Sequence, residues 1–501
     1  MGFPDRVPNE LWGEILGNVN EHDRPTFQKI SLSCPAFLPV SRPFLFSAIR
    51  LTPYRIGNDG DLLLPPPAEV DRHLKRLEFW CSSKIAPLVR SCLIHPLDSY
   101  TGRDVSKWSS STDTPNILLD SLFQRLDHFT GLQRLHASRI HFTQARVDML
   151  SHLPKLFELH LSGCAVAPGE HIETSPHVLR IPNFSLCHDS KSDPADNYWF
   201  PLLQPDQLRV LRSDFALGRT TDTISSFPNV QTLEAIMHRQ TPSQYSRALS
   251  NFPAVRILKL WGKGLHTDAV VPDAVAIFPV LEEYYGPHEA LPLFLAATTL
   301  RRVQTKCARS EDLVTRIQGK HGRNIISFNV ELKTLNVTIF NKIVEHLPQL
   351  TELLITCGVS NLDSMFTRVV YDARKVPKDA VVDGRFGDEV RMGFKPSTFF
   401  LKLADVPFLP PALERLAISW DCYNQESCFE LSAYMVPDFS QMRDALVARC
   451  PGLNWLWLNG IYFRFEWRDS MPDGTVKEFT AKNFMDAYVQ WGEIFYGWEV
   501  L

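Results

Sequence analysis

The residue types that commonly carry out catalysis occur in this 501-residue sequence without the spacing that catalysis needs. Cys187, His188 and Asp189 supply a nucleophile, a base and an acid, but adjacent side chains point apart, whereas catalytic triads assemble from distant positions. Cys422 and Cys428 lack the second pair of ligands that a zinc site requires. The short motifs of α/β-hydrolases, zinc proteases and nucleotide-binding proteins are absent. We therefore expect a protein that is not an enzyme and binds no cofactor or metal.

Composition and charge favour a water-soluble protein of the cell interior. The 52 basic and 56 acidic residues give a net charge of −4, so no basic surface for nucleic acid is expected. No run approaches the ~18 apolar residues that span a membrane, and Asp5, Arg6 and Glu10 interrupt the region where a signal peptide would be apolar. Ten cysteines without a C-x-x-C pair are typical of reduced thiols. We expect a cytoplasmic or nuclear location and neither a nucleic-acid nor a membrane partner.

A spaced apolar pattern recurs along the chain and must organise its structure. In residues 156–161 it places Leu156, Leu159 and Leu161 at the first, fourth and sixth positions. Further copies are Leu74/Leu77/Phe79, Val255/Leu258/Leu260, Ile325/Phe328/Val330, Leu350/Leu353/Ile355, Leu413/Leu416/Ile418 and Leu453/Leu456/Leu458. Weaker copies keep two anchors: Leu132/Leu135, Leu208/Leu211, Val230/Leu233, Leu281/Tyr284 and Leu300/Val303. Each copy predicts a short strand whose anchors face a common core.

The spacing and the segments between copies predict an α/β solenoid with parallel strands inside and helices outside. Copies begin at 230, 255, 281, 300, 325 and 350, in or next to the period of a leucine-rich repeat. Before one copy, Phe340, Ile343, Val344 and Leu347 recur at helical spacing. The sequence resembles the leucine-rich-repeat family over roughly residues 70–460. Unrelated buried strands of an ordinary α/β domain are the alternative.

Several segments interrupt or follow this repeat. We assign residues 52–70 to a linker and 71–460 to an irregular solenoid with insertions near 98–116, 163–205 and 360–410. The second insertion is long enough to contain a degenerate repeat around 178–181, and residues 85–93 show a short helical pattern. Residues 461–501 predict a hairpin and a capping helix that would cover the last repeat.

Residues 3–51 form a different kind of module, with three short helices followed by a strand at 49–51. So small a unit cannot bury its own large apolar residues, which implies a partner surface. The order of its residues resembles an F-box, in the form common in fungal proteins, although Pro35 and Pro43 depart from the pattern and should shorten or bend helix ends. The matching positions are Pro8, Leu11, Ile15, Leu16, Leu32, Cys34 and Phe37. A helical cap that seals the first repeat is the alternative.

The F-box resemblance implies docking on the adaptor subunit of a cullin-RING (SCF-type) ubiquitin ligase, and through that adaptor a cullin. The module's apolar residues Pro8, Leu11, Ile15 and Leu16 should then be partly exposed in the isolated chain. We interpret the protein as a substrate-recognition subunit whose solenoid binds a protein substrate that the sequence does not identify. The alternatives are a non-degradative interaction scaffold and an enzyme with a site under an insertion loop.

Residues between the anchors should face outward on the concave side, because side chains alternate along a strand. The candidate substrate-binding residues are Lys259, Trp261, Tyr285, Arg302, Lys306, Arg415, Trp455 and Trp457. Their mixture of aromatic and charged types suits a protein partner. For the last two tryptophans a second interpretation stands beside binding, in which later segments fold over the indoles and form a terminal core. His136, His141 and His160 are interpreted as surface or capping residues on or beside repeat strands.

Overall fold

The computed structural model describes most of the repeat strands and the helices before them. The described residues are 9–17, 24–56, 62–96, 109–110, 116–166, 179–187, 199–216, 226–237, 247–262, 278–308, 310–318, 321–332, 335, 337–358, 409–421, 439–459, 464–470 and 477–478. The chain divides into two compact units, Met1–Ala235 (unit 1) and Ile236–Leu501 (unit 2). Most of the predicted insertion at 360–410 and all of the predicted capping helix lie outside the described residues.

Three helices open unit 1: α1 (Asn9–Gly17), α2 (Arg24–Ser33) and α3 (Phe37–Leu45). Their small core consists of Leu16, Phe27 and Val40. Pro43 lies inside α3, which ends two residues later at Leu45, and it removes one amide donor from the last turn of the helix.

The segment predicted as a linker, 52–70, contains regular structure. Strand β2 (Arg55–Ile56) pairs antiparallel with β3 (Leu62–Leu64), which pairs antiparallel with β5 (Ser109–Ser110). The last of these lies in the insertion predicted near 98–116, most of which is outside the described residues.

Tyr54 explains why this segment is held in place. Its side chain is buried, and its single hydroxyl hydrogen is shared between the carbonyls of Ser138 and Arg139, the latter at 2.7 Å. Arg139 has a positive φ of 53°, so this phenol fixes a turn that an arginine rarely adopts. Burial, with a smaller effect of Cys164, raises the pKa of Tyr54 far above its ordinary value. The phenol therefore stays protonated and remains a donor.

The repeat predicted at Leu74/Leu77/Phe79 is wrong, because these residues belong to helix α4 (Pro67–Trp80). Leu77 and Trp80 are its buried residues, and Phe79 is exposed. A spacing of three residues between leucines fits both the repeat pattern and a helix, so the first two anchors alone do not separate the two structures.

The first sheet strand after α4 is β4 (Ser91–Ile94), where the sequence had predicted a helix over 85–93. That prediction is wrong apart from a single 3₁₀ turn at Ala86–Leu88. Val89, Cys92 and Ile94 are fully buried and occupy the three anchor positions of the repeat. The copy was missed because cysteine replaces leucine at the second anchor.

The parallel strands of unit 1 follow one another in the sheet in chain order. They are β1 (Ala48–Leu51), β4, β6 (Arg134–Ser138), β8 (Glu158–Ser162), β10 (Asn183–Cys187) and β11 (Val210–Ala216), with β12 (Thr232–Met237) beside β11. Helices α5 (Ile117–Phe123) and α6 (Gln144–Ser151) precede β6 and β8, and β7 (His141–Phe142) pairs in parallel with β9 (Ala165–Val166).

The predicted insertion at 163–205 contains a repeat, but its strand lies further along the chain than 178–181. Strand β10 buries Phe184 and Leu186, with Ile181 as the first anchor. Leu179 forms only an isolated parallel bridge with Leu203. Pro182, directly before the strand, obscures the pattern because proline is uncommon within sheets.

Unit 2 continues the same pattern and ends in a hairpin. Its parallel strands are β13 (Ile257–Gly262), β14 (Glu283–Pro287), β15 (Arg302–Ala308), β16 (Ser327–Leu332), β17 (Glu352–Gly358), β18 (Arg415–Asp421) and β19 (Trp455–Asn459). Strand β20 (Arg464–Arg468) returns antiparallel to β19, and β21 (Lys477–Glu478) is antiparallel to β20. Among the described residues of this unit, the longer helices are α7 (Ser310–Ile317), α8 (Val337–His346) and α9 (Phe439–Arg449).

The strand register confirms the predicted anchors of unit 2. Phe328 pairs with Leu353 and Val330 with Ile355, in parallel, and all four side chains are fully buried. The same row continues through Leu416 and Leu456. The described residues therefore form an α/β structure with long runs of parallel strands, consistent with a leucine-rich-repeat-like solenoid.

The weaker copies, for which the sequence predicted only two anchors, have a third anchor with a small side chain. The third positions are buried and are occupied by Ala137, Ser213, Ala235, Gly286 and Thr305. At Gly286 the reason is visible, because a Cβ there would lie 2.6 Å from the hydroxyl oxygen of Tyr284. The Tyr284 ring thus fills the space of two anchors, and its hydroxyl donates to the Pro287 carbonyl at 2.7 Å.

One backbone contact recurs at the start of nearly every strand. A single carbonyl of one repeat accepts hydrogen bonds from two successive amides of the next, at 2.7–3.1 Å. The acceptors are Ser47, Arg90, Gln133, Pro182, Arg209, Arg256, Glu282, Arg301, Ile326, Thr351 and Glu414. At β10 the carbonyl of Phe157 accepts only from Asn183, because Pro182 has no amide hydrogen.

Replacing Leu258 by alanine should lower the free energy of unfolding by about 2–5 kcal/mol, because its fully buried side chain would leave a cavity. Urea unfolding of the purified protein measures this loss. The adjacent variant Lys259→Ala, on the outward face, is the control and should cost at most about 1 kcal/mol. Equal effects of the two changes would contradict the assigned strand orientation.

Replacing Tyr54 by phenylalanine should lower the free energy of unfolding by about 1–3 kcal/mol, because two carbonyls would lose a buried donor. Tyr284→Phe removes one bond to one carbonyl and provides a comparison in unit 2 that should cost less. An unchanged denaturation midpoint for Tyr54→Phe would show that this segment is not held by the phenol.

Candidate partner-binding surfaces

Helix α1 presents apolar side chains to solvent. Leu11 and Ile15 are 48% and 51% exposed and, being four residues apart, lie on the same side of the helix. Trp12 is partly buried and packs against the small core. Leu16, predicted to be partly exposed, is instead a core residue, since it meets Phe27 inside the module.

The other two helices add to this exposed apolar area. Leu32 is 85% exposed near the end of α2, and Leu38, which the sequence reasoning did not single out, is also exposed in α3. Cys34 and Phe37 are half-buried, and the Phe37 ring packs edge-on against Trp12 at 4.8 Å. Pro8 lies outside the described residues. Half of the exposed large apolar side chains in the described chain, four of eight, thus belong to this module.

The helical module contacts the first repeats through the residues that follow α3. Phe46, just after α3, packs against Phe79 and Trp80 of α4 at centroid distances of 5.8 and 5.6 Å. The Ser47 carbonyl then accepts the amide hydrogens of Arg90 and Ser91. The module is therefore joined to α4 and β4 through Phe46 and Ser47, while Leu11, Ile15 and Leu32 stay in solvent.

The outward face of unit 2, the side of the strands opposite the anchors, carries two similar ion pairs. In the first, Glu283 Oε1 lies 3.3 Å from Arg302 Nη1, and its Oε2 accepts a 2.7 Å hydrogen bond from the Tyr285 hydroxyl. In the second, Glu352 Oε1 lies 3.6 Å from Arg415 Nη1, and its Oε2 accepts a 2.7 Å bond from the Ser327 hydroxyl.

Several of the predicted binding residues belong to these ion pairs or lie beside them. Arg302 and Arg415 have side chains that are 60% exposed. Lys259 Nζ lies 5.7 Å from the centroid of the Tyr285 ring, within range of a cation–π contact. Burial, reinforced by Glu283, raises the pKa of Tyr285, so the phenol remains a hydrogen-bond donor to that carboxylate.

The remaining predicted residue of this region with a described side chain is Trp261, which is half-buried in β13. Lys306 belongs to β15 and pairs through its backbone register with Pro287, but its side chain lies outside the described set. Glu283 and Glu352 were not predicted as site residues. A glutamate and an arginine at the same position of successive repeats are the signal that could have found them.

Trp455 and Trp457 form part of a core. Their prediction as substrate-binding residues is therefore wrong for this structure. Their indoles lie on the side opposite Leu456, as expected, but Trp457 is 0% exposed and Trp455 only 9%. They cluster with Leu354 and Ala417, which occupy neighbouring strands on the same face. The alternative interpretation, a terminal core, therefore fits these side chains.

Unit 1 carries a polar cluster on its outward face. His136 Nε2 lies 3.5 Å from Glu158 Oε1, and the rings of His136 and His160 are 5.3 Å apart on paired strands. The neighbouring His136 ring lowers the pKa of Glu158 despite the partial burial of this carboxyl, and burial lowers the pKa of His160. Arg212 Nε lies 3.5 Å from Glu234 Oε2. Each of the two carboxylates in this cluster thus has a basic side chain within 3.5 Å.

The residue types first considered for chemistry are not assembled into a site in the described part of the chain. Cys187 is half-buried at the end of β10, whereas His188, Asp189, Cys422 and Cys428 lie outside the described residues. Among the described residues, no three or more histidine, cysteine or acidic side chains are grouped to hold a metal ion. None of the helices within those same ranges is long and apolar enough to cross a membrane.

Comparison with known proteins gives no family. The sequence matches no protein-family profile and no curated protein. A chain in the crystal structure of the yeast Rad7–Elc1 complex is 11% identical, with 76% of this chain and 92% of that chain covered, at a TM-score of 0.29. For the TLR13–ssRNA13 complex the identity is 11%, the coverage 54% and 46%, and the TM-score 0.24. TM-scores below 0.5 do not establish a shared fold, so function has to follow from this chain's own residues.

Replacing Trp457 by alanine should lower the free energy of unfolding by about 3–5 kcal/mol, because a fully buried indole would be lost. Thermal or urea unfolding measures the change. Trp261→Ala is the matched control, since Trp261 is only half-buried on the same face and should cost less. A Trp457 variant as stable as the wild type would return this residue to the candidate binding set.

Proposed function

We propose that this protein is an F-box protein with a leucine-rich-repeat solenoid that serves as a substrate-recognition subunit of a cullin-RING ubiquitin ligase. The observation that carries the proposal is the exposure of Leu11, Ile15 and Leu32 on the first two of three short helices whose residue order resembles an F-box. Exposed apolar side chains that cluster in one small module are typical of a surface completed by a partner.

The contacts between the helical module and the first repeats support the docking of a partner on the side of the module that these contacts leave exposed. Its contacts through Phe46 and Ser47 join it to the repeats, while Leu11, Ile15 and Leu32 face away from its own core. An adaptor subunit that covered these three side chains would therefore not disturb the contacts of Phe46 and Ser47 with the repeats. The cullin would join through the adaptor.

The repeat strands supply the second half of the proposed role. Tyr285, Arg302 and Arg415 bring aromatic and charged groups to the outward face of unit 2, residue types that are frequent in protein–protein contacts. In this proposal the chain binds a substrate and the transfer of ubiquitin takes place on other subunits. A scaffold that binds the adaptor without presenting substrates would dock in the same way and yield no ubiquitinated partner in a reconstituted ligase.

Leu11→Arg and Leu32→Arg should each weaken binding of a purified ligase adaptor by roughly 2 kcal/mol or more, because a charge would enter an apolar contact. Isothermal titration calorimetry measures the affinity, and a thermal unfolding curve near that of the wild type checks the fold. Val280→Arg, at an exposed apolar residue of unit 2, is the control and should bind as the wild type does. Unchanged adaptor affinity in both leucine variants would refute the F-box assignment.

A further inference from the structure

The two ion pairs on the outward face of unit 2 repeat one design. In each, a glutamate at the first outward position of a strand meets an arginine at the same position of the next strand, and a hydroxyl group binds the second carboxylate oxygen. The strand register places Arg302, Ser327, Glu352 and Arg415 in one row across four adjacent strands.

The two partners of each pair differ in what they still offer a ligand. In Glu283 and in Glu352, one carboxylate oxygen accepts a hydrogen bond from a hydroxyl and the other is ion-paired with an arginine, and these side chains are half-buried. A guanidinium has five N–H donors, and each arginine directs one amino group to its glutamate while 60% of its side chain remains in solvent. The row therefore presents cationic donors above carboxylates that are already neutralised.

This arrangement favours an anionic ligand over a cationic one. Arginine binds carboxylate and phosphate groups through paired N–H donors, and charge-assisted bonds are the strong class of hydrogen bond. Lys259 adds a third positive charge two strands before Arg302. A basic ligand would instead have to displace a hydrogen-bonded hydroxyl and an ion-paired arginine from each glutamate.

We propose that this row binds an extended segment of a partner protein that carries two anionic groups four residues apart. Arg302 and Arg415 are separated by three strand steps, or about 14 Å at about 4.8 Å per step. Four residues of extended chain cover about 13 Å, so a ligand crossing the strands can place residues i and i+4 on the two arginines. This inference rests on the proposed receptor function and names the substrate class as acidic.

The test uses fluorescence anisotropy with the full chain and dye-labelled nonapeptides of serine, glycine and threonine. The first peptide has glutamate at positions 3 and 7, the second glutamine at both, the third glutamate at 3 and 5, and the fourth phosphoserine at 3 and 7. We expect the first to bind, with an affinity that falls as salt rises, and the second and third to bind at least roughly tenfold more weakly. Tighter binding of the fourth would support the same row with phosphate as the anion.

Variants then locate the binding on the protein. Arg302→Gln and Arg415→Gln should each lower the affinity for the first peptide roughly tenfold or more, because each removes a charged donor fork. The control is Arg256→Gln, since Arg256 is 58% exposed and pairs with Glu282 at 3.3 Å but lies just before β13, outside the row. The proposal is overturned if no anionic peptide binds, or if the three variants bind the first peptide equally well.

The adaptor is absent from these measurements, which separates this inference from the proposed function. Leu11→Arg should bind the first peptide as the wild type does, while the arginine variants should bind the adaptor normally. Loss of adaptor binding alone would leave the acidic-peptide site standing. If the peptides fail to bind while the adaptor still binds, only the proposed acidic substrate class is refuted, and the proposed function stands.

Discussion

The structure depends on a recurring contact in which one backbone carbonyl accepts hydrogen bonds from two successive amides. At the start of nearly every parallel strand, one backbone carbonyl of the preceding repeat accepts hydrogen bonds from the two amide groups where that strand begins. This contact fixes where each strand begins relative to its neighbour and so decides which side chains face the core and which face outward. A shift by one residue would exchange the two sets, since side chains alternate along a strand. The anchors at Leu258 and Phe328 and the ion pairs at Arg302 and Arg415 therefore share one cause.

Much of the repeat could be predicted from the sequence, because burial of large side chains at fixed spacing is a local signal. It located Leu258, Phe328 and Leu353 in parallel strands. The signal weakened where another residue served as an anchor, as with Cys92, or where Pro182 stood beside the strand. It misled at Leu74 and Leu77, whose spacing suits a helix equally well.

The site was less predictable, because its chemistry depends on neighbours that are distant in the chain. The alternation of side chains along a strand correctly predicted that Trp457 points away from Leu456. It does not predict what covers the outward face of the strand, where the indole is buried. The pairing of Glu352 with Arg415 needs the register of two strands separated by a long insertion. On the N-terminal helices, sequence alone did not distinguish exposed Ile15 from buried Leu16, which are consecutive residues on either side of an amphipathic boundary.

Tyr284 and Gly286 show how one repeat differs from the rest. The tyrosine ring occupies the space that a third anchor takes in other copies, and even a methyl group at 286 would meet its hydroxyl oxygen. A return to the common leucine pattern would thus require two replacements, each harmful when made first. In a lineage of related chains these two positions should change together or not at all, so that Tyr-x-Gly behaves as a single inherited character.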